Sequence, residues 1–128
     1  MAQPLHVLLV EDSEDDAKLV LLELRRGGYE PVAERVSTEG ELHAALDRGG
    51  WEVIIADHSL PAFSGMAALE IVRRRRVDVP FFLVSGTMGE ELVVDAMKAG
   101  AHDYVTKGKL TRLVPAIERE LREAGIRR

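Results

Sequence analysis

The sequence contains no cysteine. This absence excludes disulfide bonds, thiolate catalysis and zinc sites with cysteine ligands. The chain also lacks any apolar stretch close to the roughly 18 residues that a membrane-spanning helix requires. No charged segment followed by an apolar one precedes the first strand-like run, as it would in a secretion signal. We therefore expect a cytoplasmic protein that does not insert into membranes.

Basic residues are outnumbered by acidic ones. The 128-residue chain has 17 lysines and arginines against 22 acidic residues, a formal net charge of -5, so the molecule as a whole should not be attracted to nucleic acid. The basic run Arg73–Arg76 does not change this expectation, because cations near a helix C-terminus complement the helix dipole and no aromatic residues are interleaved with them. The length and composition favour one globular domain covering residues 1–128.

Short apolar runs alternate with amphipathic segments along the whole chain. Strands are predicted at His6–Val10, Pro31–Val36, Trp51–Asp57, Pro80–Ser85 and Asp103–Thr106. Helices are predicted from Ser13 to Gly27, from Ser37 to Gly49, from Ser64 to Arg75, from the turn at Gly86–Gly89 to Ala99, and from Leu113 to Ala124 with Gly125 ending the last one. This alternation predicts an α/β domain with a parallel sheet, helices on both faces and right-handed crossovers.

Two local details accompany this pattern. Ser13 can cap the first helix, with Asp16 three residues later as the reciprocal partner of a capping box. The acidic segment Glu11–Asp16 therefore joins the first strand to the first helix. The second strand, Pro31–Val36, is more polar than the others, as expected of a strand at the edge of the sheet.

The strand that ends at Asp57 organises the rest of the interpretation. The run Val53–Ala56 is apolar and unbroken, which is typical of a strand buried on both faces. A carboxylate in the core would carry a heavy desolvation penalty, so Asp57 should lie where the strand leaves the sheet. In open α/β sheets that edge borders the crevice in which ligands bind.

Three other strand ends bring polar side chains to the same crevice: Glu11 and Asp12 after the first, Ser85 at the end of the fourth and Lys107 after the fifth. Carboxylates gathered in one pocket repel each other unless a cation relieves them, and this set of hard oxygens suits Mg²⁺. A metal ion and Lys107 together can neutralise the oxygens of a phosphoryl group in transfer. Asp57 would then act as the nucleophile that forms an acyl phosphate.

At these residues the sequence resembles the receiver domain of two-component response regulators, from Val7 to about Leu121. The matching elements are Glu11-Asp12, the aspartate of Ala56-Asp57-His58-Ser59-Leu60-Pro61, Ser85, Asp103-Tyr104 and Lys107. The resemblance implies a flavodoxin-like, doubly wound (βα)5 three-layer sandwich whose parallel five-stranded sheet has the order 2-1-3-4-5. It also implies a bacterial signalling phosphoprotein rather than an enzyme, one that assists its own phosphorylation and dephosphorylation.

The resemblance assigns roles to the residues of the crevice. It implies that Asp57 accepts a phosphoryl group from a sensor histidine kinase or a histidine phosphotransfer protein. Mg²⁺ would be held by Asp12, Asp57 and the backbone carbonyl of Ser59, with Glu11 acting through water. Lys107 would contact the phosphoryl group.

A conformational switch is implied as well. Ser85 would move toward the phosphoryl group and Tyr104 would turn inward to fill the vacated space, which changes the surface that a partner protein reads. The downstream partner is expected to be a protein, and the chain a monomer or a phosphorylation-linked dimer. Ser59 and Thr87 occupy positions that tune hydrolysis in this family. Both are small and polar here, so we expect a short-lived phosphorylated state.

One departure from the family concerns the lysine loop. Gly108 follows Lys107 where the family usually has proline, often in a cis bond. Because glycine reaches backbone angles that other residues avoid, we expect this loop to be less rigid than in the family.

Three alternative functions fit the pattern less well. A phosphatase with an aspartate nucleophile usually carries a second acid two residues later, where this chain has Ser59. A flavin-binding protein needs a first loop that cradles phosphate, whereas the acidic loop Glu11–Asp15 would repel it. The remaining alternative is a receiver-like interaction module that works without phosphorylation, against which the intact acidic pocket and Lys107 argue. His58 is interpreted as plain surface rather than as a general base.

Overall fold

The computed structural model describes residues 2–58, 63–86 and 90–127, without the side chains of residues 90 and 124–127. Five strands alternate with five helices in this part of the chain. The strands are β1 (Gln3–Val10), β2 (Tyr29–Val36), β3 (Val53–Asp57), β4 (Phe81–Ser85) and β5 (Asp103–Thr106), and the helices are α1 (Glu14–Arg26), α2 (Glu39–Arg48), α3 (Gly65–Arg74), α4 (Glu90–Lys98) and α5 (Leu113–Arg127). A 3₁₀ helix, Lys107–Arg112, connects β5 to α5.

The strands form one parallel sheet in the order β2-β1-β3-β4-β5, which confirms the predicted flavodoxin-like topology. Val10 at the end of β1 pairs with Ala56 of β3, and Ser85 at the end of β4 pairs with Thr106 of β5. The carboxyl ends of four strands are therefore level. Residues that follow these strands emerge at one edge of the sheet, where crevices form in open α/β folds.

Alternate residues of each central strand face opposite sides of the sheet. Leu8, Ile54 and Leu83 pack into an apolar cluster with residues of α2, α3 and α4. Their neighbours Leu9 and Ile55 pack into a second cluster with α1 and α5. The sheet is thus covered on both faces, and β3 is buried along its whole length as its unbroken apolar run predicts.

The predicted capping box of α1 is confirmed in one half and wrong in the other. Ser13 is the N-cap, and its Oγ accepts a hydrogen bond of 3.2 Å from the Asp16 backbone N–H. The reciprocal contact is not made by the Asp16 carboxylate, because the Ser13 N–H donates to Glu11 Oε2 at 3.2 Å. The Asp16 side chain is consequently available for another partner.

The second helix begins one residue later than predicted. Thr38, rather than Ser37, is the N-cap, and its Oγ1 accepts a 3.1 Å hydrogen bond from the Glu41 N–H. The Glu41 carboxylate reaches back to the Ser37 N–H at 2.9 Å. Ser37 is thus still part of the helix start, but it is bonded by Glu41 and does not cap the helix.

Other boundaries differ at the ends of elements. The pairing of β1 with β2 extends back to Gln3 and Tyr29, beyond the predicted starts at His6 and Pro31. The last helix does not end at Gly125 but continues to Arg127, because a single glycine in a helix costs only about 1 kcal/mol relative to alanine. The 3₁₀ helix was not predicted. No helix in the described ranges has the length and apolar character needed to cross a bilayer.

The start of α3 lies directly against the end of β3. A Cβ atom added at Gly65 would lie 2.8 Å from the Asp57 carbonyl oxygen and 2.7 Å from Leu83 Cδ1. We expect Gly65→Ala to lower the free energy of unfolding by about 2 kcal/mol, because the backbone of β3 cannot move without disturbing the sheet. Urea denaturation measures this loss.

The matched control for this prediction is Gly40→Ala in α2, where an added Cβ would meet nothing within 4 Å. This variant should be neutral or slightly stabilising, since alanine favours helix. Equal changes in the free energy of unfolding for the two substitutions would show that the Asp57 carbonyl does not prevent a Cβ atom at position 65.

Candidate functional site

Two buried carboxylates meet at the carboxyl edge of the sheet. Asp57 is the last residue of β3, and Glu11 directly follows β1; each is 6% exposed. The Glu11 backbone N–H donates to the Val36 carbonyl at 2.9 Å, which extends the pairing of β1 with β2 by one residue and fixes where the side chain leaves the sheet. The strand framework thus places the backbone of both acids, and the Ser13 N–H of the following loop donates to the Glu11 carboxylate at 3.2 Å.

Lys107 supplies positive charge to these acids. It is the first residue after β5, and its Nζ donates to Asp57 Oδ2 at 3.1 Å and to Asp16 Oδ2 at 2.7 Å. Asp16 lies in the first turn of α1. One ammonium therefore links the carboxyl ends of β3 and β5 to the start of α1.

Three carboxylates are close enough to share a cation. One oxygen each from Glu11, Asp16 and Asp57 lies within 4.8 Å of the other two. A cavity of about 40 Å³ borders these residues and Lys107, and the rest of its lining is apolar, with Leu9, Val20 and Leu110 among its residues. Because the donors are hard oxygens, their chemistry fits Mg²⁺.

The pKa values of two side chains, Glu11 and Lys107, describe the electrostatics of this pocket. Burial raises the pKa of Glu11 from its ordinary 4.5 to about 7, and the neighbouring Asp57 carboxylate adds to the rise, whereas the Ser13 N–H and the Lys107 ammonium oppose it. Burial alone would lower the pKa of Lys107, but hydrogen bonds to Asp16 and Asp57 outweigh it, and the pKa is raised. Near neutral pH, Lys107 is a cation and Glu11 is about half protonated unless another cation is bound.

The predicted metal ligand Asp12 lies in the loop between β1 and α1. It is exposed and is not a member of the three-carboxylate cluster, which contains Asp16 in its place. The Asp12 carbonyl accepts a 3.2 Å hydrogen bond from Arg35 Nη1. Its role as a ligand stays a prediction. The sequence signal for Asp16 was its place in the first turn of α1, which we interpreted only as helix capping.

The residues assigned to the switch lie in β4 and β5. Ser85 ends β4, is 1% exposed and pairs with Thr106 across the sheet. Tyr104 in β5 is half-buried, packs against the apolar cluster that contains Leu83, and has the Arg112 guanidinium 5.9 Å from its ring centroid. The residues predicted to tune hydrolysis, Ser59 and Thr87, lie outside the described residues, as does the predicted carbonyl ligand of Ser59.

His58 is not the plain surface residue that we expected. Its backbone N–H donates to the Val84 carbonyl at 2.9 Å, so the pairing of β3 with β4 continues through it. The residue is half-buried, and its Nδ1 is buried with no hydrogen-bond partner among residues 2–58, 63–86 and 90–127. The backbone of His58 is therefore part of the sheet end, and its side chain is only partly exposed to solvent.

The basic run at the end of α3 is engaged within the protein. Arg73 and Arg74 occupy the last turn of the helix. Arg74 pairs with Glu70 one turn earlier, and Arg75 reaches across to Asp47 of α2. These contacts fit the helix-end interpretation of the arginines better than a role as a nucleic-acid patch.

Comparison with known proteins finds related sequences over most of the chain. A family model described as response regulator receiver domain matches residues 7–118. The uncharacterized transcriptional regulatory protein YkoG of Bacillus subtilis is 35% identical, and the sensory transduction protein RegX3 of Mycobacterium tuberculosis is 36% identical, each over 121 residues. These alignments cover 94% and 93% of this chain but 52% of each relative, so the chain spans about half the length of the curated relatives it matches.

Solved structures share the architecture. A response regulator receiver domain protein from Clostridium thermocellum superposes with a TM-score of 0.81 at 22% sequence identity, covering 97% of this chain and 99% of the other. At this level of identity the likeness shows the fold.

Proposed function

Because this chain belongs to the family of response regulator receiver domains of two-component systems, we propose that Asp57 is its phosphoryl acceptor. The donor would be a sensor histidine kinase or a histidine phosphotransfer protein. The observation that carries the proposal is the surroundings of Asp57. Its buried carboxylate lies 3.1 Å from the Lys107 ammonium and within 4.8 Å of the Glu11 carboxylate, at the open edge of a parallel sheet.

The transfer is a displacement at phosphorus. A carboxylate oxygen of Asp57 bonds to the phosphorus atom while the bond from phosphorus to the histidine nitrogen of the donor breaks, and the electron pair of that bond stays on the nitrogen. The product is an acyl phosphate. Hydrolysis restores the carboxylate: a water oxygen bonds to the phosphorus while the bond from phosphorus to the Asp57 oxygen breaks, its electron pair stays on the carboxylate, and the two protons of the water leave with inorganic phosphate.

The other polar groups balance charge during this exchange. The phosphoryl group brings more negative charge than the single carboxylate that it modifies, and Lys107 Nζ is close enough to Asp57 to contact the new oxygens. Mg²⁺ would be held by Asp57 with Glu11 acting through water, together with Asp12 and the Ser59 carbonyl, and when bound it supplies charge neutralisation at the phosphoryl oxygens.

The signal would be carried by the pair Ser85 and Tyr104. A phosphoryl group on Asp57 offers the Ser85 hydroxyl a charged acceptor, which favours a conformation in which Ser85 approaches and Tyr104 turns inward. The output of this chain would then be altered contact with another protein. YkoG is described as a transcriptional regulatory protein, so a DNA-binding protein or domain that responds to this contact is one such partner.

The proposal is tested by intact-protein mass spectrometry after incubation with acetyl phosphate and Mg²⁺. The wild type should gain one phosphoryl group, and Asp57→Asn should gain none. Asp78→Asn, which changes an exposed aspartate outside the site, should behave as wild type, and a chelator should abolish the gain. A folded wild-type protein that gains no mass, or a gain that persists in Asp57→Asn, would contradict the assignment and favour a module that acts without phosphorylation.

A further inference from the structure

Asp16 has the shortest contact with the lysine of the site. Lys107 Nζ lies 2.7 Å from Asp16 Oδ2 and 3.1 Å from Asp57 Oδ2. The two residues of the shorter pair are 91 positions apart in the sequence, so folding alone brings them together. Neither the capping of α1 nor the phosphoryl transfer proposed above uses the Asp16 carboxylate, although it lies close enough to Glu11 and Asp57 to share a cation with them.

The backbone around Asp16 is well anchored. Its N–H donates to Ser13 Oγ at the start of α1, and the next residue, Ala17, is buried in the apolar cluster shared by α1 and α5. The Asp16 side chain is 34% exposed, close to the 32% of Lys107. The carboxylate therefore projects from a rigid helix start onto the rim of the pocket.

The backbone around Lys107 offers less support to its ammonium. Lys107 begins a short 3₁₀ helix, Gly108 follows it, and Lys109 has non-helical backbone angles of φ -132 and ψ 44. Lysine also carries its charge at the end of a flexible four-carbon stem. The position of the ammonium consequently depends on the carboxylates that it contacts, and only one of them, Asp57, is the proposed site of phosphorylation.

We propose that Asp16 is a positioning residue that holds the Lys107 ammonium beside Asp57, so that the cation is in place when the phosphoryl group arrives. This inference rests on the proposed function of Asp57. The direct contact of Asp57 with Lys107 must change when a phosphoryl group is added to its carboxylate, whereas Asp16 keeps its contact before and after transfer. The ion pair with Asp16 thus holds in place an ammonium that is carried on a flexible side-chain stem.

The first measurement is the maximal rate of phosphorylation by acetyl phosphate at saturating Mg²⁺. Asp16→Asn should lower this rate by about tenfold, since misplacing a charged group slows a reaction that depends on orientation. Asp15→Asn removes the same charge from an exposed residue of the same turn and should leave the rate unchanged. Asp16→Glu keeps a carboxylate and should recover most of the loss.

A double-substitution experiment shows whether Asp16 acts through Lys107. In a Lys107→Ala background, adding Asp16→Asn should not slow phosphorylation further. The Mg²⁺ concentration at half-maximal rate should be the same in Asp16→Asn and wild type. If the rate of Asp16→Asn is instead restored by more Mg²⁺, Asp16 is a metal ligand; if the rate is unchanged or higher than wild type, Asp16 does not position Lys107. Either result overturns the inference.

A second readout needs neither metal nor phosphoryl donor. In thermal unfolding of the metal-free protein, we compare the change in midpoint temperature that Asp16→Asn causes in two backgrounds. This change should be less favourable by about 3 °C when Lys107 is present than in the Lys107→Ala background. Equal effects in the two backgrounds would overturn the inference even if Asp57 is phosphorylated normally. Normal coupling in unfolding with no phosphorylation of the wild type would refute the proposed function and leave the ion pair without the role assigned to it.

Discussion

Lys107→Ala is expected to slow phosphorylation of Asp57 by acetyl phosphate about 100-fold at saturating Mg²⁺. The Lys107 ammonium lies 3.1 Å from Asp57 Oδ2. The half-buried pocket screens this positive charge less than bulk water would. During transfer, negative charge accumulates on the phosphoryl oxygens within reach of this cation. Its removal leaves the Glu11, Asp16 and Asp57 carboxylates to repel the incoming group.

The control for this loss is Lys109→Ala, which removes an exposed lysine from the same 3₁₀ helix. It changes the net charge of the protein by the same amount and should leave the rate close to that of wild type. Lys107→Arg keeps the charge but replaces a compact ammonium by a planar group, so an intermediate rate is expected. A rate for Lys107→Ala near that of Lys109→Ala would show that Lys107 does not act on the phosphoryl group.

Metal-free protein is expected to lose stability as the pH rises through neutrality, because of Glu11. Burial raises the pKa of this carboxyl from 4.5 to about 7 in the folded protein, so the folded state binds the proton more tightly than the unfolded state. The stabilisation is fully present below pH 4.5 and is lost as the pH rises through about 7. At about 1.4 kcal/mol for each pKa unit, the contribution to the free energy of unfolding is about 3 kcal/mol.

Urea denaturation at several pH values, in the presence of a chelator, measures this effect. Glu11→Gln cannot ionise, so the difference in the free energy of unfolding between variant and wild type should grow in favour of the variant as the pH rises across this window. Glu14→Gln, which changes a side chain that is 71% exposed in the first turn of α1, should show no such trend. Parallel curves for wild type and Glu11→Gln would mean that the Glu11 carboxylate is not the group responsible. Mg²⁺ should stabilise wild type more than Glu11→Gln at high pH, because the ion favours the ionised carboxylate.

Local sequence determined the elements and the main acid of the site. The run Val53–Ala56 could be recognised as a strand buried on both faces because apolar side chains must leave water wherever the strand lies. Asp57 ends this strand as predicted, but its carboxylate is itself buried and is paired with Lys107. Glu11, Ser85 and Lys107 followed from the same reasoning, since the carboxyl ends of parallel strands lie at one edge. As predicted, Glu11 follows β1, Ser85 ends β4 and Lys107 follows β5.

Contacts between distant segments could not be obtained in this way. The pairing of Asp16 with Lys107 spans 91 positions, and a helix-start aspartate looks the same in sequence whether it caps its helix or binds a lysine. The exposure of Asp12 and the 3₁₀ helix after β5 likewise depend on how α1 and the lysine loop pack against the sheet.

The sequence by itself therefore determined which segments form the sheet and which acids end its strands, because burial and hydrogen bonding within an element depend on neighbouring residues. Only the tertiary structure decided which carboxylates share the ammonium of Lys107. That choice depends on distances of a few ångströms between α1, β3 and the 3₁₀ helix, and such distances are set by the packing of the whole domain.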